Sequence, residues 1–378
     1  MRPMPNDVLR VGVLTGGGDC PGLNAALRAV TKALILQHDA EVVGIRDGFR
    51  GLIERSVVPL NYSDVSGILT RGGTILGASN KADPFNYQPR GGADVSAQVV
   101  STYRSLDLSA LVAIGGDGTM SIAHGLTEIG LNVVGIPKTI DNDLAGTNRS
   151  FGFDTAVSIA TEAIDRIHTT AQSHHRVMVI ETMGRYAGWI ALYAGVASGA
   201  DIILIPELEY DVDEVVRVCI DRQQGGQRFT IIAIAEGAKP KDGKRVVRER
   251  SEFTDSVRFG GIGRVLAEEL EVRLDNEVRT TILGHMQRGG TPTAYDRNLA
   301  TGYGTRAAAL VAARTYGTMV ALQEGGFTTM PLSEVANRTR TVPLDSPLIA
   351  SALAVGTSFG IPHAEVERLE LDVSSEFS

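Results

Sequence analysis

Glycines, carboxylates and basic side chains follow several apolar segments of the chain. They occur in the strings GGGDCPG (16–22), GGDGT (115–119), PKTIDND (137–143), TMGR (182–185), EG (236–237) and HMQRGG (285–290). In open α/β sheets, ligands bind outside the carboxyl ends of the strands, so these strings are expected to meet at one sheet edge. Backbone N–H groups beside glycines, helix N-termini, cations and a carboxylate are the groups that bind phosphate and a divalent metal. The sequence therefore predicts a phosphate site.

The first glycine-rich string lies between a predicted strand and a predicted helix. The N–H groups around Gly18 could face a phosphate, because glycine has no Cβ to block its approach. The same string is also typical of a tight strand-to-helix turn, and both interpretations stay open. Gly16 and Gly18 match part of a dinucleotide fingerprint, but Pro21 occupies the place of its third glycine. An NAD-dependent oxidoreductase is therefore weakly supported.

Two aspartate-containing strings could supply metal binding and proton transfer. Asp117 lies between glycines at a strand end, where one carboxylate can hold Mg²⁺ while a polyphosphate supplies the other ligands. Asp141, in a loop just after another strand, could accept a hydroxyl proton as the oxygen attacks phosphorus. Asp143 could orient the metal or the loop. Such aspartates are also common in turns and caps, so each string alone leaves both interpretations open.

Basic side chains lie near the ends of the later predicted strands. Arginine is suited to clamping a phosphate monoester because its guanidinium can donate two parallel hydrogen bonds. The candidates for such a clamp are Arg176, Arg279 and Arg288. Arg185 could stabilise charge that develops on a transferred phosphoryl group, and Glu236 could bind sugar hydroxyls. A single arginine is more often a solvated surface residue or part of an ion pair, so each assignment is weak alone.

Alternating strand and helix patterns predict a doubly wound α/β fold with about two mainly parallel sheets. The predicted strands are residues 8–14, 41–45, 109–114, 131–136, 176–181, 200–205, 230–236 and 279–284. Apolar residues spaced three or four apart predict helices over 21–37 and 153–171, with Pro21 at the first helical position. Residues 77–98 and 237–260 are predicted surface loops, and residues 364–378 a C-terminal tail.

Composition excludes several classes of protein. The 378 residues carry a net charge of −8, which does not favour nucleic acid. Only Cys20 and Cys219 are present, so a disulfide framework or structural zinc is not expected, and a reducing, cytoplasmic location is. The chain has no apolar run of membrane-spanning length. With 43% hydrophobic and 21% charged residues, it has the composition of a globular protein.

Taken together, the motifs resemble the 6-phosphofructokinase family. The resemblance rests on GGGDCPGLN, GGDGT, PKTIDND, ETMGRYAG, AEG and LGHMQRGGTPTAYDR, in this order over residues 10–306. It implies transfer of a phosphoryl group to the 1-hydroxyl of fructose 6-phosphate, in glycolysis, with the active site in the cleft between two Rossmann-like domains. The expected domains are 1–151 with 289–345 for the phosphoryl donor and 152–288 with 346–363 for the sugar phosphate.

The resemblance also assigns roles to individual positions. Asp141 matches the general base, Asp117 the Mg²⁺ ligand, and Arg185 the arginine that stabilises the transferred phosphoryl group, which Gly18 contacts. The donor phosphates are expected to meet Gly116, Asp117, Gly118 and Thr119. The sugar contacts are expected from Thr139, Asp141, Met183, Gly184, Arg185, Glu236 and His285. The 6-phosphate clamp is expected from Arg176, Arg279 and Arg288.

The residues that bear on the phosphoryl donor give a mixed signature. Gly118 matches members that use ATP, whereas pyrophosphate users have aspartate there. Lys138 matches pyrophosphate users, where an ammonium could stabilise the leaving group. Asn80 and Lys81 stand where many ATP enzymes place an arginine near the donor. ATP is favoured, because space for the nucleotide is a stricter requirement than an added cation; a pyrophosphate-dependent phosphotransferase is the alternative.

Some questions stay open. In the family, the residues that match Arg176 and Arg279 reach into a neighbouring subunit's site, so a dimer or tetramer is expected. Arg28 and Lys32 match basic residues of the family's effector site, but two matches do not establish allosteric control. A kinase for a related sugar phosphate, such as sedoheptulose 7-phosphate, remains a possibility. A non-catalytic regulator is disfavoured, because it should have lost one of the residues that match the catalytic groups.

Overall fold

A computed structural model describes residues 8–241, 243, 247–250, 257–362 and 365–366 of the chain. The chain divides into two compact units: unit 1 comprises residues 1–155 and 288–339, and unit 2 comprises residues 156–287 and 340–378. The units differ from the predicted domains in the placement of residues 152–155, 288 and 340–345. Except for Glu365 and Val366, the predicted C-terminal tail lies outside the described residues.

Strands and helices alternate along most of the chain. The strands are β1 (Arg10–Thr15), β2 (Glu41–Ile45), β3 (Val57–Leu60), β4 (Ala110–Gly115), β5 (Val133–Pro137), β6 (Val177–Thr182), β7 (Ile202–Leu204), β8 (Thr230–Ala235), β9 (Val247–Arg250), β10 (Val257–Phe259), β11 (Val278–Ile282), β12 (Thr318–Gln323) and β13 (Gly326–Pro331).

The helices are α1 (Leu23–His38), α2 (Phe49–Glu54), α3 (Ser96–Ser105), α4 (Asp117–Glu128), α5 (Phe153–His174), α6 (Trp189–Ala197), α7 (Val212–Gln224), α8 (Ile262–Arg273), α9 (Ala294–Ala312), α10 (Leu332–Val335) and α11 (Pro347–Ala354). Two short 3-10 helices span Gln88–Arg90 and Gly284–Arg288. None of the described helices is long and apolar enough to cross a membrane.

Unit 1 contains a seven-stranded sheet in the order β13-β12-β5-β4-β1-β2-β3. The strands from β12 to β2 pair in parallel, and the edge strands β13 and β3 pair antiparallel. Strands β1, β4 and β5 are almost wholly buried, as expected of parallel strands covered on both faces. Unit 1 therefore has the predicted mainly parallel, doubly wound sheet.

Helix α1 packs against α9 in unit 1. Its apolar stripe, Leu23, Ala26, Leu27, Val30, Ala33 and Leu34, is buried as predicted. Gly304 of α9 permits close packing, because a Cβ there would lie 2.6 Å from the Cβ of Ala29. The helix begins at Leu23, so the prediction that Pro21 is its first residue is wrong. Gly22 is the N-cap with φ 102°, a left-handed conformation that interrupts the helix before it could reach Pro21.

Unit 2 contains a four-stranded parallel sheet in the order β11-β6-β8-β7. A separate antiparallel pair joins β9 and β10. Glu181, near the end of β6, is buried, and its carboxylate accepts hydrogen bonds from the N–H groups of Gly261 and Gly263 at 2.8–3.0 Å. These groups lie at the start of α8, so this carboxylate caps the helix that covers the sheet.

The predicted loops differ from expectation in their burial and structure. Residues 77–98 include a 3-10 helix, and Ala82, Tyr87 and Val95 are at most 5% exposed within the core of unit 1. This segment is therefore partly a packed element and not only a surface loop. Within residues 237–260, the backbone forms β9 and β10, whereas 242, 244–246 and 251–256 lie outside the described residues.

Candidate functional site

Three of the predicted site loops begin side by side at the sheet edge of unit 1. Parallel pairing places Thr15 of β1 beside Ile114 of β4, and Gly115 beside Pro137 of β5. The pairing continues into the loops: the Gly16 N–H donates to Ile114 O at 2.8 Å, and the Lys138 N–H donates to Gly115 O at 2.9 Å. The expected convergence is therefore confirmed for these three strings. The strings TMGR, EG and HMQRGG follow β6, β8 and β11 of the separate sheet of unit 2, so the prediction that all six strings meet at one sheet edge is wrong.

Thr119 packs at the junction of two of these loops. A Cβ on Gly16 would lie 2.6 Å from Thr119 Oγ1, and a Cβ on Gly115 would lie 2.2 Å from the same atom. Real Cβ atoms do not approach other atoms so closely, so both glycines are required by packing. Thr119 is 5% exposed. Its predicted contact with donor phosphates stays a prediction.

Cations flank the Gly18 turn. Lys138 is buried, and its Nζ donates to Gly18 O at 2.5 Å. Burial lowers the pKa of the Lys138 ammonium. Arg288 Nη1 donates to Asp19 O at 3.3 Å and lies 3.1 Å from where a Cβ on Gly18 would stand. The structure therefore brings Arg288 to this turn in unit 1, whereas Arg176 and Arg279 belong to unit 2.

The loop that carries Asp141 is buried and internally bonded. Thr139 Oγ1 accepts from the Asp141 N–H at 3.1 Å and contacts Asp143 Oδ1 at 3.1 Å. Asn142 has φ 51° and accepts from the Ser150 N–H at 3.0 Å. Asp141 is 3% exposed. The hydroxyl of Thr139, predicted to bind sugar, thus fixes the backbone position of the predicted base.

Asp117 and Gly118 begin α4, with Gly116 as its N-cap residue. A Cβ on Gly118 would meet no heavy atom of the described chain within 4 Å, so the space above it is open. The described residues contain no cluster of three or more potential metal-ligating His, Cys, Asp or Glu side chains. Mg²⁺ at phosphoryl-transfer sites typically takes one or two carboxylates plus substrate phosphates, so the single carboxylate of Asp117 fits that ion.

A cavity of about 360 Å³ opens beside the Gly18 turn. It is lined by Gly17, Gly18, Asp19, Gly73, Thr74, Gly77, Ala78 and Asn80. Two predicted donor-binding residues, Gly18 and Asn80, therefore line one cavity in unit 1. Lys81 follows as an exposed residue whose N–H donates to Ser79 Oγ at 3.3 Å.

Asn24 holds the segment that contains Gly73 and Thr74, two residues that line this cavity. Asn24 was not among the predicted site residues. Its side-chain amide donates to Arg71 O at 3.0 Å and Gly73 O at 2.7 Å, and accepts from the Ile75 N–H at 2.9 Å. It is fully buried on α1. A polar amide inside an apolar helical stripe was the sequence signal that could have identified it, because buried amides need hydrogen-bond partners.

The turn after β6 holds three predicted sugar contacts of unit 2. Glu236 Oε1 accepts from the N–H groups of Gly184 at 3.2 Å and Arg185 at 3.0 Å, and Gln287 Oε1 accepts from the Met183 N–H at 2.8 Å. The carboxylate predicted to bind sugar hydroxyls thus also holds the backbone that carries Arg185. Gln287 was not among the predicted site residues, although it lies within a predicted string.

Arg185 adopts a left-handed backbone conformation with φ 51°. This conformation costs a residue with a Cβ about 1 kcal/mol or more. Gly237 makes room for the turn, because a Cβ there would lie 1.9 Å from Arg185 O. The Arg185 guanidinium lies over the Tyr186 ring, with 5.6 Å from Cζ to the ring centroid. His285 is exposed on the 3-10 helix that follows β11.

One carboxylate joins the two remaining arginines of the predicted phosphate clamp. Arg176 Nε donates to Glu277 Oε2 at 2.5 Å, and Arg279 pairs with the other oxygen of Glu277. The hydrogen bond with Arg176 lowers the pKa of the Glu277 carboxyl. The side chains of Arg176, Glu277 and Arg279 are 26%, 41% and 50% exposed. Glu277 was not predicted, although a carboxylate two residues before Arg279 was visible in the sequence.

Comparisons with known proteins identify the family. The model of the family described as Phosphofructokinase matches residues 10–311. The chain belongs to the phosphofructokinase family. It is 48% identical to ATP-dependent 6-phosphofructokinase 2 of Clostridium perfringens, over 94% of this chain and 100% of that protein. It is 51% identical to the pyrophosphate–fructose 6-phosphate 1-phosphotransferase of Amycolatopsis mediterranei, over 89% of this chain and 97% of that protein.

The fold of this chain is similar to that of solved phosphofructokinase structures. The phosphofructokinase from Saccharomyces cerevisiae matches with a TM-score of 0.74 and 30% sequence identity over 96% of this chain. The chain spans about half, 47%, of the yeast chain's length. Family membership explains why strings far apart in the sequence carry complementary chemistry. The curated relatives include both ATP and pyrophosphate users, so family membership alone does not choose the donor.

Proposed function

We propose that the chain is an ATP-dependent 6-phosphofructokinase. The observation that carries this proposal is the convergence of the Gly18, Asp117 and Asp141 loops at the ends of neighbouring strands β1, β4 and β5. Together with the family match over residues 10–311, it supports our assignment of Gly18 to phosphate contact, Asp117 to metal binding and the buried Asp141 to proton transfer. Unit 2 carries Arg185, the other predicted sugar contacts Met183, Gly184, Glu236 and His285, and the paired arginines Arg176 and Arg279.

Asp141 acts as the general base in this proposal. It accepts the proton of the sugar 1-hydroxyl as that oxygen attacks the γ-phosphorus of ATP, and the bond to the β-phosphate oxygen breaks to release ADP. Thr139 supports this role, because its hydroxyl bonds the Asp141 N–H and fixes the loop before substrate binds. The Arg185 guanidinium stabilises the charge on the transferred phosphoryl group.

Mg²⁺ is the metal we propose for the donor site. Asp117 would hold it, and the ion would neutralise charge on the donor phosphates. The chain's own contribution is the N-terminal end of α4, where the Gly116, Gly118 and Thr119 backbone faces the donor. Gly16 and Gly115 keep Thr119 in place through close packing.

ATP is the proposed donor because the space at Gly118 is open. An aspartate at this position would place a negative charge where the nucleotide phosphates must pass. The cavity lined by Gly18 and Asn80, in the same unit, supplies further space for the donor in this proposal.

Pyrophosphate is the second candidate donor, and Lys138 is the observation that favours it. Its buried ammonium lies 2.5 Å from Gly18 O, beside the proposed phosphoryl position, where it could stabilise a pyrophosphate leaving group. The curated relatives named as pyrophosphate users, at up to 51% identity, are as similar as the ATP users. The Lys138 ammonium could stabilise the leaving group of either donor. A side chain that filled the space at Gly118 would exclude ATP, so the presence of glycine there is the stronger evidence on donor choice.

The test measures fructose 1,6-bisphosphate formed from fructose 6-phosphate and Mg²⁺ with either ATP or pyrophosphate. We expect kcat/KM to be larger with ATP. A larger value with pyrophosphate would overturn the donor assignment but keep the sugar and the reaction. No product with either donor, from protein that is folded by circular dichroism, would contradict the proposed function.

We also propose that the chain self-associates as a dimer or tetramer with shared active sites. Two observations support this. Among the described residues, β11 is an edge strand of the unit 2 sheet and packs against α8. Ile282 of β11 and Val265 and Val272 of α8 are 47%, 41% and 87% exposed. Exposed apolar side chains grouped beside an unpaired sheet edge favour association. Sedimentation at micromolar concentration tests it, and a monomer would contradict it.

A further inference from the structure

The turn after β6 is hydrogen-bonded by side chains that follow the two strands on either side of β6. Strand β6 lies between β11 and β8. Gln287, from the 3-10 helix that follows β11, accepts the Met183 N–H at 2.8 Å. Glu236, which follows β8, accepts the N–H groups of Gly184 and Arg185. Three consecutive backbone N–H groups are thus fixed by two side chains from opposite sides.

The turn needs this support because its backbone is strained. Gly184 has φ 152° and Arg185 has φ 51°, and a residue with a Cβ rarely adopts the left-handed conformation. Such a residue persists only where the surrounding contacts over-determine it. The side-chain oxygens of Gln287 and Glu236 are contacts of this kind, made directly to the strained segment.

Gln287 has a burial pattern that packing alone does not explain. It is 0% exposed, and within the described part of the chain its Nε2 has no hydrogen-bond partner. A backbone N–H can donate only to the carbonyl oxygen, so the amide orientation follows from the Met183 contact. Methionine would fill a similar volume without burying an unsatisfied donor. The carbonyl oxygen of Gln287, which accepts the Met183 N–H, is therefore the part of the side chain that supports the turn.

We propose that Gln287 is a positioning residue that holds the turn so that Arg185 presents its guanidinium to the transferred phosphoryl group. This inference rests on the proposed function, which gives Arg185 that role. Without the Gln287 carbonyl, the Met183 N–H loses its acceptor and the turn relaxes toward unstrained backbone. Displacement of a catalytic group by about 1 Å can lower a rate about 10²-fold.

Steady-state kinetics of the full chain test the proposal with two variants. Gln287→Met removes the acceptor and keeps the volume, and we expect kcat to fall about 30-fold, a larger change than the rise in KM for fructose 6-phosphate, to which Met183 and Gly184 of the same turn are proposed to contribute. Gln287→Glu keeps an oxygen that accepts the Met183 N–H, and it should retain the larger part of kcat. Gln223→Met, at an exposed position of α7, is the matched control and should behave as wild type.

Equal loss of kcat in both Gln287 variants would overturn the proposal, as would wild-type kcat in Gln287→Met. If Gln287→Met does not fold, Gln287→Glu decides alone: kcat within a few-fold of wild type supports the proposal, and a folded protein with a loss above about tenfold overturns it.

Amide hydrogen exchange separates this inference from the proposed function. In Gln287→Met, exchange of residues 183–187 should accelerate at least about tenfold, while residues 177–181 of β6 keep wild-type protection. If wild type phosphorylates no sugar phosphate with either donor, the proposed function fails, and the exchange result still decides whether Gln287 holds the turn. Unchanged exchange of residues 183–187 would overturn the inference whatever the activity.

Discussion

The predicted site residues of the two units differ in how the protein positions them. In unit 1, Lys138 and Asp141 are both 3% exposed; the Lys138 ammonium donates to Gly18 O of a neighbouring loop, and the Asp141 N–H donates to the Thr139 hydroxyl of its own loop. In unit 2, Arg176 and Arg279 are 26% and 50% exposed; both pair with the partly exposed carboxylate of Glu277, and Arg279 also lies 3.5 Å from Glu271 Oε1. The predicted site residues of unit 1 are therefore buried and bonded within the fold, whereas the arginines of unit 2 are partly exposed and paired with carboxylates.

This difference predicts which kinetic parameter each region controls. Groups fixed before substrate binds contribute by orientation, which acts mainly on the chemical step. Partly exposed arginines paired with a carboxylate must exchange one anion for another when a phosphate binds, and ion pairs near the surface contribute little to stability. Substitutions in unit 1 should therefore change kcat or folding, whereas substitutions at the Arg176–Arg279 pair should change KM.

The largest expected effect comes from Asp141→Asn. Asparagine keeps the shape but cannot accept the hydroxyl proton, so kcat should fall about 10²–10⁴-fold. KM for fructose 6-phosphate should change little, because the asparagine still fits the loop held by Thr139. Initial-rate measurements over fructose 6-phosphate concentration check this. Asp165→Asn, at an exposed position of α5, is the control, and a near-normal kcat in Asp141→Asn would contradict the assignment of the base.

Gly118→Asp should produce the next largest effect, on donor choice. The described chain leaves the space open, so folding should be preserved, while the new carboxylate repels the nucleotide phosphates. We expect kcat/KM for ATP to fall about 100-fold, consistent with a like-charge penalty of a few kcal/mol, and kcat/KM for pyrophosphate to fall less.

Gly118→Ala is the matched control for Gly118→Asp, because it adds a Cβ without charge. It should stay within a few-fold of wild type with ATP. If alanine lowers the ATP rate as much as aspartate does, then the position acts by steric exclusion, and the electrostatic explanation is wrong.

Much of the fold could be predicted because buried parallel strands are continuous apolar runs. Both ends of each of eight strands lie within two residues of the predicted boundaries: β1, β2, β4, β5, β6, β7, β8 and β11. The edge strand β3 and the pair β12 and β13 were missed. β13 contains no buried residue, and its consecutive Thr328 and Thr329 are half-buried, so it lacks the apolar run that identifies a central strand.

The site could be predicted only where residue type limits the chemistry. The glycines and aspartates of GGDGT and PKTIDND are informative because few residues serve at a tight turn or bind a metal. Asn24, Gln287 and Glu277 were missed because amides and carboxylates are ordinary surface residues. Their importance depends on hydrogen bonds to segments 47, 104 and 101 residues away, and one sequence does not reveal those pairings.

A smaller effect is expected on the stability of unit 1. Asp296 is fully buried, its Oδ2 accepts from the Thr155 N–H at 2.8 Å and Oγ1 at 2.6 Å, and burial raises its pKa to about 6. The ionised form is therefore disfavoured in the folded state. The protonated carboxyl of Asp296 therefore stabilises the folded state. This contribution to the free energy of unfolding is complete below the unfolded pKa, near 3.8, and is lost as pH rises through about 6.

Asp296→Asn removes this titration while keeping an oxygen for Thr155. Between pH 4 and pH 7, the free energy of unfolding of wild type should fall relative to the variant by on the order of 2 kcal/mol. Urea unfolding across this pH range measures the difference, with Asp165→Asn as the exposed control. Parallel pH profiles for wild type and Asp296→Asn would contradict the raised pKa.

The smallest effect is expected at Glu277, the exposed counterpart in unit 2. In our proposal, its carboxylate competes with the 6-phosphate for Arg176 and Arg279, so Glu277→Gln should lower KM for fructose 6-phosphate about two- to fivefold and leave kcat unchanged. Inhibition by inorganic phosphate should strengthen in parallel. Glu268→Gln, which removes a partner of Arg264 on α8, controls for the change in charge. A raised KM in Glu277→Gln would instead mean that this carboxylate orients the two arginines, and both units would then pre-position their binding groups.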